Sequence, residues 1–492
     1  MRTLPFAKYC GALVCLLFFA AGAATADGVS VDSWASLAAA AQAGAAEVVV
    51  TADITCGAGD TTVVFPNDVT LRSAEGSHCT IDGGGTQILR LESTGGTSTV
   101  ENLTFQHGGS GTEQGGAIYA AGMLTLDGCT FADNSAADGG AVYACGGLTV
   151  TGCIVRDNAA ADRGGGICAE GTVTITGGML CGNTAAFSGG GAICLLSGSL
   201  TVSGDAMLSG NQATAGGGGA ICAVRGNVSL CGGTVSGNTA AEGGGGVYAA
   251  YGNVDISGGS VRANEAEQGG GLYVAYGGVS ISGSAEITGN TAAIYGGGLL
   301  LANGDVQLTG GAVCDNTAQY GGGILAKSGA VTVSGTAAIT GNQAEGSGGG
   351  LYVQSGDLVL SGGVIDSNQA LHGGGALVLT GHTTVSGTAV IRDNAARGDG
   401  GGIDAEEGDV TVSGGTVTGN TADEYGGGLY LESGSLTVSG GTVAKNEAAE
   451  GGGVYAATGA VDDAAGGVTG NTPDNILTPQ QSNRPMELWT VP

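Results

Sequence analysis

Acid–base catalysis is the first chemistry that the residue types of this chain allow. The chain has 43 Asp and Glu residues, and its four histidines are His78, His107, His372 and His382. A polysaccharide hydrolase or lyase needs carboxylates beside a histidine or another basic residue, because a proton moves at the reacting bond. The acidic pair at 462–463 has no such neighbour in sequence, and Arg-Asp-Asn occurs twice, at 156–158 and 392–394, at one point of a repeat. We therefore predict no catalytic residue and expect structural roles for these motifs.

Aromatic side chains are the second group that could contribute to function. Exposed rings spaced along a rigid surface can bind sugar rings or an apolar patch of a partner protein. A solvated edge with incidental aromatics is the alternative interpretation. The tripeptide at 397–399, Arg-Gly-Asp, resembles an integrin-type motif on an expected exposed loop, although chance explains it in a chain with 104 glycines. The candidate binding ridge consists of Phe187, Tyr295, Tyr320, His372 and Tyr425.

The sequence predicts neither a bound metal nor a cofactor. No CxxC pair occurs, which disfavours a zinc site, and no Lys-Ser/Thr follows the glycine clusters as in a phosphate-binding loop. Cys129 and Cys153 share one position of the repeat. They form either a disulfide between adjacent coils or a pair of small packing residues.

A repeat of about 26 residues positions all of these groups. Eight successive intervals between Asn238 and Asn446 are each 26 residues. An apolar residue stands three positions before each repeated asparagine, and a Gly-Gly pair follows the asparagine. Segments in which apolar and small polar residues alternate, such as VSISG at 279–283, lie between one Gly-Gly pair and the next asparagine. This alternation is the period of a half-buried strand. The repeated asparagines are Asn134, Asn158, Asn183, Asn211, Asn238, Asn264, Asn290, Asn316, Asn342, Asn368, Asn394, Asn420, Asn446 and Asn471.

Three short strands per repeat predict one coil of a parallel β-helix. A single coil buries too little apolar surface to offset its loss of backbone entropy, so the coils must stack. Each asparagine is expected to adopt φ > 0 and to bond the equivalent amides above and below it, forming a ladder. The glycine clusters are expected to be corners at which the backbones of successive coils approach closely.

The repeats resemble those of polymorphic outer membrane proteins, which pair FxxN with GGA[ILV]. FADN at 131–134 and GGAV at 139–142 match both motifs, and ITGN at 287–290 with GGGL at 296–299 is a relaxed form. The resemblance covers roughly 105–472 and implies a surface-exposed adhesin-like protein. Such a protein would bind a glycan or an extracellular protein ligand.

The order of elements at the start is similar to that of pectin-lyase-type β-helices. Many of these cleave acidic polysaccharides, so a polysaccharide lyase or glycoside hydrolase on the same scaffold is the alternative function. The resemblance and the crossover rule indicate a right-handed helix. The predicted fold class is all-β, a right-handed single-stranded parallel β-helix (β-solenoid) of about 14–16 coils with a short N-terminal capping helix.

The ends of the chain differ from the repeats. Basic residues, an apolar run and a small-residue cleavage site predict a secretory signal at 1–26. An N-terminal cap with a helix is expected at 27–60, the β-helix at 61–472, and a proline-containing tail at 473–492. We expect a secreted or cell-surface protein without a transmembrane segment. Its net charge of −30 disfavours nucleic acid as a partner.

Overall fold

The structure is a computed structural model that describes residues 28–478 apart from residues 110 and 112; the predicted signal and most of the predicted tail lie outside these residues. The described chain winds into an all-β parallel solenoid of about 16 turns, with one short helix near its N-terminal end. Neighbouring strands in each sheet come from successive turns of the chain. The predicted fold class is therefore confirmed.

Each complete turn contributes strands to three sheets, as a turn in the middle of the stack shows. Leu299–Asn303 belongs to sheet B, Val306–Leu308 and Ala312–Cys314 belong to sheet A, and Thr317–Ala318 belongs to sheet C. The chain then returns to sheet B at Ile324–Ala326. Apolar residues point inward at alternate positions, so a continuous column of Val, Ile, Leu and Ala fills the interior.

The strands of sheet B are Val63–Phe65, Leu89–Leu91, Ile118–Ala120, Val142–Ala144, Ile167–Ala169, Ile193–Leu195, Ile221–Arg225, Val247–Tyr251, Leu272–Tyr276, Leu299–Asn303, Ile324–Ala326, Leu351–Ser355, Ala376–Thr380, Ile403–Glu407, Leu429–Leu431, Val454–Ala456 and Ile476–Leu477. The strands of sheet C are Ser135–Asp138, Ala159–Arg163, Thr184–Ala185, Gln212–Ala213, Thr239–Gly243, Glu265–Gln268, Thr291–Tyr295, Thr317–Ala318, Gln343–Ala344, Gln369–Ala370, Ala395–Ala396 and Thr421–Ala422.

Sheet A has two strand columns side by side. The first contains Val29–Val31, Glu47–Val50, Thr70–Ser73, Thr97–Glu101, Met123–Asp127, Leu148–Thr151, Val173–Thr176, Ser199–Ser203, Val279–Ile281, Val306–Leu308, Val331–Val333, Leu358–Leu360, Thr383–Val385 and Val461–Asp462. The second contains Ile54–Thr55, Thr80–Asp82, Thr104–Gln106, Thr130–Ala132, Ile154–Arg156, Met179–Cys181, Met207–Ser209, Glu286–Thr288, Ala312–Cys314, Ala338–Thr340, Val364–Asp366, Val390–Arg392 and Val468–Thr469. Four longer strands run through both columns: Asn227–Ser236, Val254–Arg262, Val410–Thr418 and Leu436–Ala444.

The helix, Trp34–Gln42, covers the first edge of sheet B. Its N-cap residue, Ser33, accepts a hydrogen bond from the backbone amide of Ser36. The helix packs on Val63–Phe65, the first strand of sheet B, where a strand of a preceding turn would otherwise lie. It therefore shields an edge that could pair with another chain. Its buried residues are Trp34, Leu37, Ala40 and Ala41.

The repeated asparagines form one buried column between sheets A and C. The side-chain N–H groups of Asn342 donate to Oδ1 of Asn368 and to the carbonyl oxygen of Val313, both at 2.9 Å. Oδ1 of Asn342 accepts from the side chain and the backbone amide of Asn316, at 3.0 and 3.1 Å. The same side-chain bonds link successive asparagines from Asn134 onward. Each asparagine thus donates and accepts along the stack.

The residue with φ > 0 at this turn is the one before the asparagine, and the expectation that the asparagines themselves adopt φ > 0 was wrong. The residue that makes the corner comes one position earlier, which leaves the asparagine side chain pointing into the column. All the preceding residues have φ between 51° and 69°: Asp133, Asp157, Gly182, Gly210, Gly237, Ala263, Gly289, Asp315, Gly341, Ser367, Asp393, Gly419, Lys445 and Gly470.

Ala263 is the least suited of these residues to its backbone, because it has a Cβ and no polar side chain to compensate for it. Replacing Ala263 by Gly is expected to raise the free energy of unfolding by about 0.5–1 kcal/mol. Ala312→Gly, in an ordinary strand of sheet A, is the control and should lower it by a similar amount. Chemical denaturation measures both values, and equal losses in the two variants would contradict the assignment of strain to Ala263.

Candidate binding face

The outer face of sheet B is produced by the residues that follow each glycine corner. In Val247–Tyr251, Val247 and Ala249 point into the core, whereas Tyr248 between them points outward. Because the turns pair in register, the outward residues of successive turns form a straight column. This column, called the outward column below, is Tyr119, Tyr143, Cys168, Cys194, Cys222, Tyr248, Tyr273, Leu300, Leu325, Tyr352, Leu377, Asp404, Tyr430 and Tyr455.

The last residues of the sheet C strands and the segments that connect them to sheet B, together called the tips, fold against this column. A Cβ built on Gly217 would lie 2.9 Å from the ring of Tyr248, and one built on Gly243 would lie 2.3 Å from the ring of Tyr273. Leu300, in the middle of the column, is 0% exposed although it faces away from the core. The outer face is thus a strip of apolar and aromatic side chains with the tips along one side.

Four of the five predicted ridge residues lie in one column of tips. Tyr295 and Tyr320 are bridge partners in adjacent turns, with ring centroids 5.8 Å apart. His372 follows two turns beyond Tyr320, and Tyr425 two turns beyond His372. Phe187 lies outside this column, since Gly189 occupies the equivalent position in its turn, and it is 73% exposed. The structure therefore brings four of the candidates together and leaves Phe187 apart.

The tyrosines of the tips are part of the wall of the strip, not free-standing side chains. The ring of Tyr320 lies 6.4 Å from that of Tyr352, and the ring of Tyr425 lies 4.5 Å from that of Tyr455. The ammonium group of Lys327 lies 4.7 Å from the centre of the Tyr295 ring. These residues are half-buried, so their packing also contributes to the fold.

His372 and Asp399 also contact each other within the tips. Nδ1 of His372 accepts a hydrogen bond from the backbone amide of Asp399 at 3.3 Å. Burial lowers the pKa of His372, which favours the neutral ring. The Asp399 carboxylate accepts from the amide of Tyr425 at 3.2 Å, and its side chain is only 18% exposed. The Asp of the Arg-Gly-Asp tripeptide is therefore turned toward its own fold, contrary to the expected exposed loop.

Two exposed tyrosines at the ends of sheet B strands were missed by the sequence analysis. Tyr251 and Tyr276 are 56% and 53% exposed, and their rings stack with centroids 5.2 Å apart. Tyr248 and Tyr273, three residues earlier in the same strands, make an edge-to-face pair at 5.3 Å. The repeated spacing in VYAAYG at 247–252 and LYVAYG at 272–277 was the available signal.

Tyrosine is confined to this part of the molecular surface. Of the 13 tyrosines, Tyr9 lies outside the described residues, and all the others lie on sheet B strands or on the tips that precede them. Outward positions of sheet A carry no tyrosine among the described residues; in Val254–Arg262, for example, they include Asp255 and Ser257. The tyrosines of the face are Tyr119, Tyr143, Tyr248, Tyr251, Tyr273, Tyr276, Tyr295, Tyr320, Tyr352, Tyr425, Tyr430 and Tyr455.

Four acidic residues, the carboxyl cluster, interrupt the aromatic strip near its C-terminal end. Asp404 takes the position that a leucine and a tyrosine hold in the neighbouring turns. Its side chain is 0% exposed, and neither carboxyl oxygen has a hydrogen-bond partner. Glu406 projects from the same strand, Glu432 lies beside it in the next turn, and Asp399 lies in the tip. The sequence did not predict this cluster, because its four acids are not adjacent in the chain.

The electrostatics of the carboxyl cluster favour protonated acids. Burial raises the pKa of Asp404 well above its usual value, and the charges of Glu406, Asp399 and Glu432 raise it further. The pKa of Glu406 is raised to about 7, mainly by burial and next by the charge of Glu432. The Tyr430 hydroxyl donates to Glu432. Among the described residues, the ion pairs of arginine lie elsewhere in the solenoid.

The acid–base candidates of the sequence are dispersed, and several stabilise local structure. Nδ1 of His107 lies 3.0 Å from the Asp82 carboxylate, and Nδ1 of His382 lies 3.8 Å from the Asp409 carboxylate. These two pairs are more than ten turns apart along the solenoid. The carboxylate of Asp463 accepts from two backbone amides that follow it in its own turn. No shared acid–base site is formed by these residues within the described chain.

All cysteines of the described residues are free thiols. The backbone amide of Cys129 donates to Sγ of Cys153 at 3.3 Å, and both side chains are buried. Cys168, Cys194 and Cys222 pair in register within the outward column and pack with Tyr143. In this structure the cysteines of both columns are packing residues.

Residues 28–478, with their two gaps, contain no group of three or more His, Cys, Asp or Glu side chains placed to hold a metal ion. No helix in these residues has the length and apolar character needed to cross a membrane. A cavity of about 570 Å³ lies at the N-terminal end of the outer face, far from the carboxyl cluster. It is lined by Thr62, Gln87, Arg90, Glu113, Gln114, Ala137 and Asp138.

The fold is a parallel β-solenoid of the pectin-lyase-like type. A protein-family model described as a right handed beta helix region matches residues 62–230, which supports the predicted handedness. Comparison with curated proteins gave no match, and comparison with solved structures also gave none.

Proposed function

We propose that this protein is a secreted or cell-surface, adhesin-like binding protein. In this proposal the outer face of sheet B holds a glycan or an extracellular partner protein without cleaving it. The observation that carries the proposal is the confinement of every described tyrosine to this one face. Core packing does not require this distribution, because the interior is filled by aliphatic residues.

The physical properties of tyrosine fit a ligand with repeated units. A tyrosine ring offers an apolar surface for the C–H side of a sugar, and its hydroxyl can bond sugar hydroxyls. Successive turns are spaced by about 4.8 Å, so the face repeats its rings at a fixed distance along a rigid stack. Tyr251 and Tyr276 are the most accessible members of this row.

The resemblance to polymorphic outer membrane protein repeats supports the same function. FADN at 131–134 supplies Phe131 to the core and Asn134 to the ladder, and GGAV at 139–142 supplies the corner that begins a sheet B strand. The motifs therefore serve the scaffold, and the adhesin-like role is proposed from the family that shares them. The expected secretory signal is consistent with an extracellular site of action.

The double variant Tyr251→Ser/Tyr276→Ser tests the proposed function. Glycan and extracellular-matrix protein arrays first identify a ligand for the unmodified chain, and binding of that ligand is then measured by calorimetry. We expect the variant to bind at least about tenfold more weakly, because two accessible rings each contribute roughly 1 kcal/mol or more. Both side chains are more than half exposed, so the fold should be unaffected.

Ile154→Ser/Met179→Ser is the matched control for this experiment. These residues form an adjacent pair of exposed apolar side chains on sheet A, 39% and 37% exposed. The control variant should bind like the unmodified protein. Equal loss of affinity in both double variants, or no loss in the tyrosine variant, would place the binding site elsewhere.

A polysaccharide hydrolase or lyase is the second candidate, and the carboxyl cluster is the observation that favours it. The pKa of Glu406, raised to about 7, would keep a carboxylic acid protonated near neutral pH, as a general acid requires. The same samples distinguish the two functions. Retention of an intact polymer supports binding, whereas release of reducing or unsaturated oligosaccharides would establish catalysis.

A further inference from the structure

We propose that the cavity at the N-terminal end of the outer face is a second binding site, which holds one uncharged sugar unit. The cavity has a volume of about 570 Å³ and lies where Arg90 precedes Tyr119 in the register of the outward column. Tyr251 and Tyr276, whose variant tests the proposed function, lie six and seven turns further along the solenoid. This second site therefore does not rest on the proposed function and can fail separately from it.

The backbone of the cavity wall is fixed before any ligand binds. The backbone amide of Gly115 donates to the carbonyl oxygen of Asp138 at 2.9 Å. That of Ala137 donates to the carbonyl oxygen of Glu113 at 2.8 Å, so the tips of two successive turns are joined. The side-chain amide of Gln87, which is 4% exposed, donates to two carbonyl oxygens of the first tip at 2.7 and 2.8 Å. Ordering of this wall therefore costs a ligand little binding free energy.

The guanidinium group of Arg90 is held in place on two sides. Its Nε donates to the Glu92 carboxylate at 3.1 Å, and its central carbon lies 4.1 Å from the centre of the Tyr119 ring. Among the described residues this group makes no other hydrogen bond or ion pair, so its terminal N–H groups can donate to a ligand in the cavity. Stacking on the ring presents these donors in a fixed plane.

The cavity wall combines donors with acceptors, which suits hydroxyl groups. Arg90 can only donate, the Thr62 hydroxyl can donate and accept, and Oδ1 of Asp138 is buried without a hydrogen-bond partner. Burial raises the pKa of Asp138. A hydroxyl donates to a carboxylate and accepts from a carboxylic acid or a guanidinium group, so it fits Asp138 in either ionisation state. A sugar ring brings several hydroxyls to one small site.

Charged ligands fit the same wall less well. A sugar carboxylate bound at Arg90 would lie close to the acidic side chains of Glu113 and Asp138. An ammonium group bound at these acids would lie close to the guanidinium group of Arg90. The mixed charges of the wall therefore favour an uncharged sugar over a uronic acid or an amino sugar.

The test measures binding of the methyl glycosides of glucose, galactose and mannose to the unmodified chain by saturation-transfer NMR. We expect at least one glycoside to bind, with a Kd of about 1 mM. The uronate and the 2-amino derivative of the same sugar should each bind at least about fivefold more weakly. Binding of the uncharged glycoside should not change when salt is raised to about 0.5 M, because screening acts on charges.

Two variants change the cavity in different ways. Arg90→Leu removes the guanidinium donors, and the outward column already holds leucine elsewhere, as at Leu300. Ala137→Phe keeps every polar group and fills part of the cavity. Each variant should weaken binding of the glycoside at least about tenfold. Arg156→Leu is the matched control, since Arg156 pairs with Asp157 at 2.8 Å on sheet A, and it should bind like the unmodified chain. Thermal unfolding confirms that the variants are folded.

The outcomes separate the cavity site from the proposed function. Binding that Tyr251→Ser/Tyr276→Ser abolishes and both cavity variants retain would overturn the cavity site while supporting the tyrosine face. Equal loss in Arg90→Leu and Arg156→Leu would show a general charge effect and overturn it too. Tighter binding of the uronate, the 2-amino derivative or free glycine would replace the uncharged sugar by a charged ligand. No saturation transfer to any of the three glycosides at about 20 mM would also reject the site.

Discussion

Replacing Asn342 by Asp is expected to lower the free energy of unfolding by about 3–5 kcal/mol at neutral pH. Asn342 is 0% exposed, and its side-chain N–H groups donate to Val313 and Asn368. Aspartate has no such donors, so a buried carboxylate would face a carbonyl oxygen and an amide oxygen. The substitution therefore removes two hydrogen bonds and places an unpaired charge in the column.

Asn253→Asp is the control for this substitution. Asn253 is exposed, and its Oδ1 accepts a hydrogen bond from the backbone amide of Gly278 at 2.9 Å. A carboxylate accepts the same bond, so the stability of this variant should change by less than about 0.5 kcal/mol. Urea unfolding followed by circular dichroism measures both variants. If Asn342→Asp is no less stable than Asn253→Asp, the column does not contribute the stability assigned to it.

The repeat itself was sufficient to predict the fold. In a parallel solenoid each turn places equivalent residues directly above one another, so a spacing of 26 residues between asparagines predicts a column. The Gly-Gly pairs before alternating apolar residues predict the start of the sheet B strands, as at Val247–Tyr251. The conformation of the turn was harder to predict, because residues as different as Ala263, Asp315 and Lys445 hold φ > 0 there.

The candidate ridge was only partly predictable, because exposure depends on how the tips fold. Sequence spacing placed Tyr295, Tyr320, His372 and Tyr425 in the tips, but it could not show that these segments lean on sheet B. The length of a tip varies from turn to turn, so Phe187 falls outside the column. Whether these residues bind a ligand stays a prediction.

The carboxyl cluster could have been detected by aligning the repeats. The segment GGGID at 400–404 places Asp404 where GGGLY at 426–430 and at 269–273 places a tyrosine. An acid at a position otherwise held by apolar or aromatic residues contradicts the pattern of its column, and such local contradictions are expected at functional sites. Its burial and its lack of partners needed the structure, because both depend on the tip above it.

Replacing Asp404 by Leu is expected to raise the free energy of unfolding by about 1–3 kcal/mol at pH 8, the opposite of the usual result of mutating a buried residue. The side chains of Leu377 and Tyr430, above and below, can pack against leucine. The substitution also removes a buried carboxyl without hydrogen-bond partners. The variant extends the apolar cluster that Leu300, Leu325 and Leu377 already form.

The stability of the unmodified protein should also depend on pH in a defined direction. The folded-state pKa of Asp404 is raised, so between about pH 4 and that value the folded chain binds more protons than the unfolded chain. This contribution is present at low pH and is lost as the pH rises through the folded pKa. Glu406 adds a contribution of the same sign, which is lost as the pH rises from the ordinary glutamate pKa of 4.5 to the folded-state pKa of about 7. Unfolding at about pH 5 and pH 8 should therefore show greater stability at pH 5.

Asp404→Leu should reduce this pH dependence, leaving mainly the part due to Glu406. Asp255→Leu removes an exposed carboxylate from sheet A and is the control for the loss of one negative charge. Its stability should depend on pH as that of the unmodified chain does. A loss of stability in Asp404→Leu at pH 8 would show that the acid is satisfied in the fold.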